Sequence, residues 1–382
     1  MQITYPHYYQ RFACAADQCP DTCCAGWQIV IDEETREKYS QVKGEMGERL
    51  NASICQDSFR QKKGRCVFLN EKGLCDIYTQ LGSKMLCRTC KNYPRHMEEF
   101  ENLREMSLSM SCPAAAEILL GCREKVRFVT MEEETEEESY EEFDFFLFDK
   151  LMSVREILFK LLQDRRQPAE YRMAACVGLV HDVQLRINKR QLAEVDMLLE
   201  RYSRAGAWEK LKKRWSCYEE KSDEKFYMLR KMMECLEELE VLNPRFIKQV
   251  KGYQQMLFFR GREHYQRERE EFEQYCREQK LALPKEQWMV YFVYTYFAGA
   301  VYDEDAYAKL KMAAVSTVFL SEWAFAQWMR NGKLLRQSDL VEISYRYSRE
   351  LEHSDFNLNK LEELMSKRSL FSLEQLMTVI LN

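Results

Sequence analysis

The sequence predicts a mainly α-helical protein: an irregular, cysteine-rich metal-binding N-terminal domain with few short strands, followed by a large helical domain. Three observations carry this. Eleven of the fifteen cysteines lie between Cys14 and Cys122. From Phe143 onward, apolar residues recur at helical spacing of three and four. Between these regions, residues 132–144 read EEETEEESYEEFD with no basic residue, a composition of solvated linkers and of helix N-terminal turns. The expected organisation is a cysteine-rich domain over 1–126, an acidic linker or helix start over 127–145, and a helical domain over 146–382.

Within the first region, Gln28–Asp32 and Cys66–Leu69 are short strand candidates, each flanked by turn residues. Glu33–Leu50 and Pro113–Arg123 are helix candidates; Pro113 directly after Cys112 suits a first helical position. In the second region, Phe146, Leu147, Leu151, Val154 and Leu158 form one apolar stripe, and Phe226, Leu229, Met232 and Leu236 another. Pro168, Pro244 and Pro284 mark helix boundaries, and Ser372-Leu-Glu-Gln375 is a capping box that opens a last helix. The apolar run Trp288–Val301 is too short to span a bilayer, so it predicts a buried helix.

With a net charge of -5, the chain lacks the basic footprint of a nucleic-acid binder. Met1–His7 shows no charged and apolar export pattern, so a soluble cytoplasmic protein, with neither nucleic acid nor membrane as partner, is expected. A reducing compartment argues for thiols that bind metal rather than form disulfides. The spacing is Cys14-x4-Cys19-x3-Cys23-Cys24, then Cys66-x8-Cys75-x11-Cys87-x2-Cys90, then Cys112-Pro113. Close pairs let one loop present two thiolates, and distant partners pin separate loops to the same ion or cluster. Four thiolates suit tetrahedral zinc or one [4Fe–4S] cluster, and the set is large enough for one site or two. Only Cys87/Cys90 has the knuckle spacing of zinc sites, and the CxxxCxxC loop of radical enzymes is absent. Arg88, Lys91 and Arg95, near Cys90, either offset cluster charge or simply occupy the surface. Cys176, Cys217, Cys235 and Cys276 sit in helical patterns as small apolar residues.

Several segments carry a resemblance: PHYYQRFACAADQCPDTCCAGWQIVID from Pro6, CVFLNEKGLCDIY from Cys66, TCKNYPR from Thr89, LSMSCPAAAE from Leu108, YFVYTYFAGAVYD from Tyr291 and YSRELEHSDFNL from Tyr347. In this order they resemble the flagellin lysine-N-methylase family across essentially the whole chain, and the N-terminal half is similar to a broader family of zinc- or iron-chelating proteins. The resemblance implies a protein-lysine N-methyltransferase acting on flagellin, with S-adenosylmethionine as donor and an iron–sulfur cluster, zinc being the alternative metal. It places the metal ligands on Cys14, Cys19, Cys23, Cys24, Cys66, Cys75, Cys90 and Cys112. Cys87 lies just outside the motif centred on Cys90.

No Gly-rich donor loop follows a strand; Gly44-Glu-Met-Gly47 is too sparse. A donor site built by the cluster or between the domains is therefore expected. Tyr291, Tyr294, Tyr296, Tyr302 and Trp288 either line a pocket for a cation or pack as core. Glu352-His353-Ser354-Asp355 either deprotonates the substrate lysine or caps helices. The competing reading is a non-enzymatic interaction protein whose loops a zinc or iron ion holds together.

Overall fold

The computed structural model describes residues 1–133, 143–219 and 221–382, so most of the acidic run lies outside the described residues. Strand β1 (Gln2–Pro6) opens the chain. Two helices follow, α1 (Glu33–Ser40) and α2 (Glu45–Ser53). The single helix expected over Glu33–Leu50 is broken because Gly44 adopts φ +79°, and because α2 runs so close to the preceding turn that a Cβ on Gly47 would meet the Val42 carbonyl oxygen at 1.9 Å. Asp32 caps α1, accepting from Thr35 N at 3.0 Å.

Two minimal hairpins come next: β2 (Ile54–Cys55) with β3 (Ser58–Phe59), and β4 (Gln61–Lys62) with β5 (Arg65–Cys66). The expected strand Gln28–Asp32 contributes only an isolated bridge, Val30 to Ser58, and Cys66–Leu69 only the end of β5 and a bridge from Leu69 to Cys75. Short helices α3 (Asp76–Leu81) and α4 (Arg88–Asn92) lead to a hairpin of β6 (Arg95–Phe100) and β7 (Leu103–Leu108), helix α5 (Pro113–Leu120) and strand β8 (Phe128–Glu132). The longer strands form one sheet in the order β6-β7-β1-β8, in which β1 runs parallel to β7 and antiparallel to β8.

The remainder is helical, as the periodicity predicts: α6 (Phe145–Leu162), α7 (Ala169–Asn188), α8 (Val195–Ser203), α9 (Ala207–Glu219), α10 (Ser222–Glu234), α11 (Pro244–Phe258), α12 (Arg262–Glu278), α13 (Lys285–Tyr296), α14 (Ala300–Asp303), α15 (Ala306–Arg330), α16 (Gln337–Glu352), α17 (Asp355–Lys367) and α18 (Leu373–Leu381). The three prolines stand at the starts of α7, α11 and α13, and the Ser372 hydroxyl caps α18. Helix α15 is buried along most of its length and packs against α7, α11, α13, α16 and α17. Within the run Trp288–Val301, α13 is buried as expected, and among the described residues no helix is long and apolar enough to cross a membrane.

Two cores result. The larger joins the helices to the sheet and α5, through Phe100, Leu103, Leu108 and Leu119. The smaller belongs to the cysteine module and gathers Ile29, Ile31, Tyr39, Leu50, Phe59 and Phe68 around Cys66 and Cys87. A buried ion pair ties the sheet to the helices: Arg155 of α6 donates to Glu105 of β7 with Nη1 at 2.6 Å and again through Nη2, and both residues are at most 5% exposed. Desolvation makes such a pair costly to break and cheap to replace with well-packed apolar groups. We therefore expect Arg155→Met alone to lose about 3–5 kcal/mol in urea denaturation, and Arg155→Met with Glu105→Leu to recover most of that loss.

Candidate functional site

The cysteines fold into one module through short backbone contacts. Cys66 N donates to Cys24 O at 2.8 Å and Gly26 N to Gly64 O at 3.0 Å, which bring the first cysteine loop onto the β4–β5 hairpin. All fifteen cysteines are free thiols. Cys24, Cys66, Cys75, Cys87 and Cys90 lie in one another's electrostatic field. Cys14, Cys19 and Cys112 form a second group, and Cys23 faces both. Every cysteine expected as a ligand falls in one of these groups, and Cys87 joins the first. Cys55 stands apart, while Cys122 faces His7 at 3.8 Å.

The thiols differ in readiness to ionise. The adjoining Cys23 thiol outweighs burial and, with the Thr22 hydroxyl and Arg65, lowers the Cys24 thiol below its ordinary range. Cys90 does the same for Cys87 and lowers it, while Cys23 and Cys90 are pushed up. Burial raises Cys66 to about 12 and raises Cys19, Cys75 and Cys112. Arg65 lies beside Cys24, and Arg349 beside Cys19 and Cys23.

Among the described residues, no three His, Cys, Asp or Glu side chains are gathered closely enough to hold a metal ion as they stand. The donor chemistry nevertheless fits a thiophilic metal or cluster: the groups are rich in sulfur, and the hydrogen-bonded pairs hold protons that metal binding would displace. Cys112 is the N-cap of α5, where backbone N–H groups of Ala114 and Ala115 favour its thiolate against the effect of burial.

Between the module and the helical domain lies a cleft of about 540 Å³. Cys19, Asp21 and Arg65 line one side, and Arg349, Glu350 and His353 of α16 and its cap line the other. Arg349 crosses the boundary. It donates to Asp21 O at 2.6 Å, Ser111 O at 2.9 Å and Thr22 O at 3.4 Å, and pairs with the Asp21 carboxylate at 2.8 Å. The His353 ring stacks on Trp27 at 4.5 Å and meets Tyr93 edge-on, and its Nε2 lies 3.1 Å from Ser111 Oγ. Burial, helped by Arg349, pushes its pKa down to about 3, so the ring is neutral at neutral pH.

Glu350 accepts from Leu242 N at 2.7 Å and Asn243 N at 3.1 Å, yet burial raises its carboxyl to about 7. Glu352 is turned away from the cleft and accepts from Ser109 Oγ at 2.5 Å and Tyr291 OH at 2.7 Å. Burial raises its pKa too.

The four polar residues singled out in the sequence therefore separate. His353 faces the cleft, Glu352 supports it from behind, and Ser354 and Asp355 form the start of α17, with Ser354 accepting from Asn357 N at 3.1 Å. Sequence reasoning missed Arg349 and Glu350, although both lie in the segment YSRELEHSDFNL. The aromatic cluster packs as core rather than as a cation pocket. Trp288 donates to Ser344 Oγ, Tyr294 donates to Thr4 O and stacks on Phe128, and Tyr302 reaches Glu99 O from the surface.

Residues 155–379, more than half of the chain, match the family described as FliB lysine N-methylase C-terminal domain. The chain is 32% identical over 134 residues to the lysine-N-methylase of Salmonella typhimurium strain LT2, an alignment covering 31% of this chain and 32% of that protein. It is 31% identical over 134 residues to the flagellar biosynthetic protein FliU of Salmonella muenchen, covering 31% of this chain and 77% of that one. The lysine-N-methylase of Salmonella choleraesuis strain SC-B67 matches at 31%, again over 32% of its length. The chain thus spans about a third of the two lysine-N-methylases it matches, and no solved structure matches it. By the match to more than half of its length, the chain belongs to the FliB lysine N-methylase family.

Proposed function

We propose that this chain is a cytoplasmic S-adenosylmethionine-dependent protein-lysine N-methyltransferase acting on flagellin, and that the reaction takes place in the cleft between the cysteine module and α16. The observation that carries this reading is the pair of proton acceptors, Glu350 and His353, facing a cleft whose other wall is built from the cysteine loops. Family membership supports the reaction class, and the resemblance of the sequence segments suggests the donor and the substrate.

Methyl transfer by displacement needs a neutral amine, so the ε-ammonium of the incoming lysine must lose a proton before it attacks the donor's methyl group. Glu350 is the better acceptor, because a carboxylate with a pKa near 7 is largely ionised just above neutrality and still basic enough to take the proton. His353, held neutral and flat against Trp27, positions the amine and accepts a hydrogen bond without adding positive charge beside a sulfonium. Arg349 keeps the two walls together. Cys24, Cys66, Cys75 and Cys90, with Cys87 beside them, and Cys14, Cys19, Cys23 and Cys112 are the residues that would hold an iron–sulfur cluster. When bound, such a cluster supplies Lewis-acidic iron able to take the donor's amino and carboxylate groups.

Four outcomes are expected. Protein reconstituted anaerobically with iron and sulfide, then incubated with donor and flagellin, adds methyl masses to flagellin lysines; a competent cluster with no mass change removes flagellin as the substrate, and colourless protein with stoichiometric zinc removes the cluster. Cys24→Ser and Cys66→Ser each lower the iron and sulfide retained per chain, whereas Cys217→Ser, exposed on α9, leaves both unchanged.

Glu350→Gln lowers the methylation rate by roughly 10²-fold and removes the rise in rate as pH passes about 7. The same variant reports on stability. Folding raises the Glu350 carboxyl from 4.5 to about 7, so the folded state holds a proton that the unfolded chain releases. Wild-type stability therefore declines as pH rises across that window, and the decline disappears in Glu350→Gln.

A further inference from the structure

A second groove adjoins the cleft. It measures about 680 Å³ and runs between one face of α11, the last turn of α15 and the outer side of α16. Arg245 and Arg346 line both the groove and the cleft, so the two are continuous. Its floor is a chain of hydrogen-bonded polar groups. Arg346 Nη1 donates to Gln249 Oε1 at 2.9 Å, Gln249 Nε2 to Tyr253 OH at 2.7 Å, and Tyr253 OH to Gln327 Oε1 at 2.7 Å.

The charge on this surface is one-sided. Arg245, Lys248 and Arg330 are exposed and have no carboxylate within 4 Å among the described residues, and only Arg346 is paired, with Glu342 at 2.8 Å. Elsewhere on the helical domain, among the described residues, exposed cations are paired and unpaired in similar numbers, Arg190 meeting Glu304 and Arg204 meeting Glu200 while Arg201 and Lys213 have no carboxylate within 4 Å; what sets this groove apart is that three unpaired cations share one concave surface. In a chain of net charge -5, unpaired cations concentrated at the mouth of a cleft create a local positive field that selects and steers an anionic partner.

We infer that this groove binds an acidic stretch of the substrate protein beside the target lysine, and so selects lysines in acidic surroundings. The inference rests on the methyl-transfer reading of the cleft. Tyr253 is buried with its hydroxyl already donating and accepting, but the half-buried amides of Gln249 and Gln327 each keep a further N–H and carbonyl lone pair, which suit a peptide backbone. Three unpaired cations are too few for the phosphate track of a nucleic acid on an otherwise acidic protein.

The test uses full-length metal-loaded protein and two fluorescent peptides with the same central lysine, one flanked by aspartates and glutamates and the other by asparagines and glutamines. The acidic peptide should bind roughly tenfold more tightly at low salt and lose that advantage as salt rises. Lys248→Glu with Arg330→Glu, both outside the cleft, should abolish the preference for the acidic peptide. Equal affinity for the two peptides, a preference that survives the charge reversal, or binding of an RNA oligonucleotide where the acidic peptide fails to bind would each overturn the inference. Methyl transfer without charge preference sinks the groove alone. A charge preference in binding with no methyl transfer to either peptide sinks the transferase reading and leaves the groove as an acidic-segment site.

Discussion

Arg349 is the residue on which the geometry of the cleft depends. A cysteine loop with little regular structure has few ways to fix its position against a helical domain, because its own backbone groups are not organised into a ladder or helix. Here one guanidinium supplies the fixing. Its five donors satisfy three carbonyls, two in the Cys19–Cys23 loop and one just before Cys112, and its charge meets Asp21. Both ends of the second cysteine group, Cys19 and Cys112, are thereby referred to the same turn of α16. The adjoining Glu350 and His353 inherit that placement, since they sit one and four residues further along the same helix and its cap. A lysine at this position would keep the charge and lose the planar fork that binds several carbonyls at once.

The same contact has an electrostatic consequence. A guanidinium beside Cys19 and Cys23 lowers the cost of thiolates there, and the same charge pushes His353 further from protonation. The first cysteine group works differently. Its guanidinium is Arg49, which joins Val67 O and the Asp76 carboxylate within the module, next to Cys66 and Cys75, and its two lowered thiols, Cys24 and Cys87, owe their state chiefly to neighbouring thiols. Such pairs share protons that a metal or cluster would have to displace, so loading of this group is tied to proton release. The two groups meet at Cys23 and Cys24, consecutive residues whose side chains face different neighbours.

Much of the helical architecture was legible in the sequence, because apolar spacing, proline and capping residues act locally. The stripe from Leu147 to Leu158, the prolines at the starts of α7, α11 and α13, and Ser372 at α18 each state a local rule that the fold obeys, whereas Phe146, expected in the same stripe, lies on the surface at the open first turn of α6. The sheet was not legible. β6 reads RHMEEF and β7 reads LREMSL, and neither looks like a buried strand. Their one buried charge, Glu105, is neutralised by Arg155, fifty residues further on, while Arg104 pairs with Glu99 within the hairpin. The site was half legible. Cysteine spacing marks the module, and the segment after Tyr347 marks the helix that faces it. Glu350 could not be recognised as the group with a raised carboxyl, because its burial and its partners, Leu242 N and Asn243 N, come from more than a hundred residues earlier.

The network behind His353 explains how a loop-rich module can carry a well-oriented ring. Tyr291 of α13 donates to Glu352, Ser109 donates to Glu352, Ser109 and Ser111 share a hydrogen bond of 2.6 Å, and Ser111 meets both Tyr93 and His353. Every member is engaged, so no single hydroxyl can turn without leaving a buried polar group unpaired. Stacking on Trp27 then fixes the plane of the imidazole, and Trp27 is itself held by its indole N–H to Cys23 O at 2.7 Å. The ring is therefore positioned by α13 through the serines and by the cysteine loop through the indole. The cysteine loop thus supplies the surface on which a cleft-facing ring is stacked, which makes the module part of the cleft rather than an appendage to it.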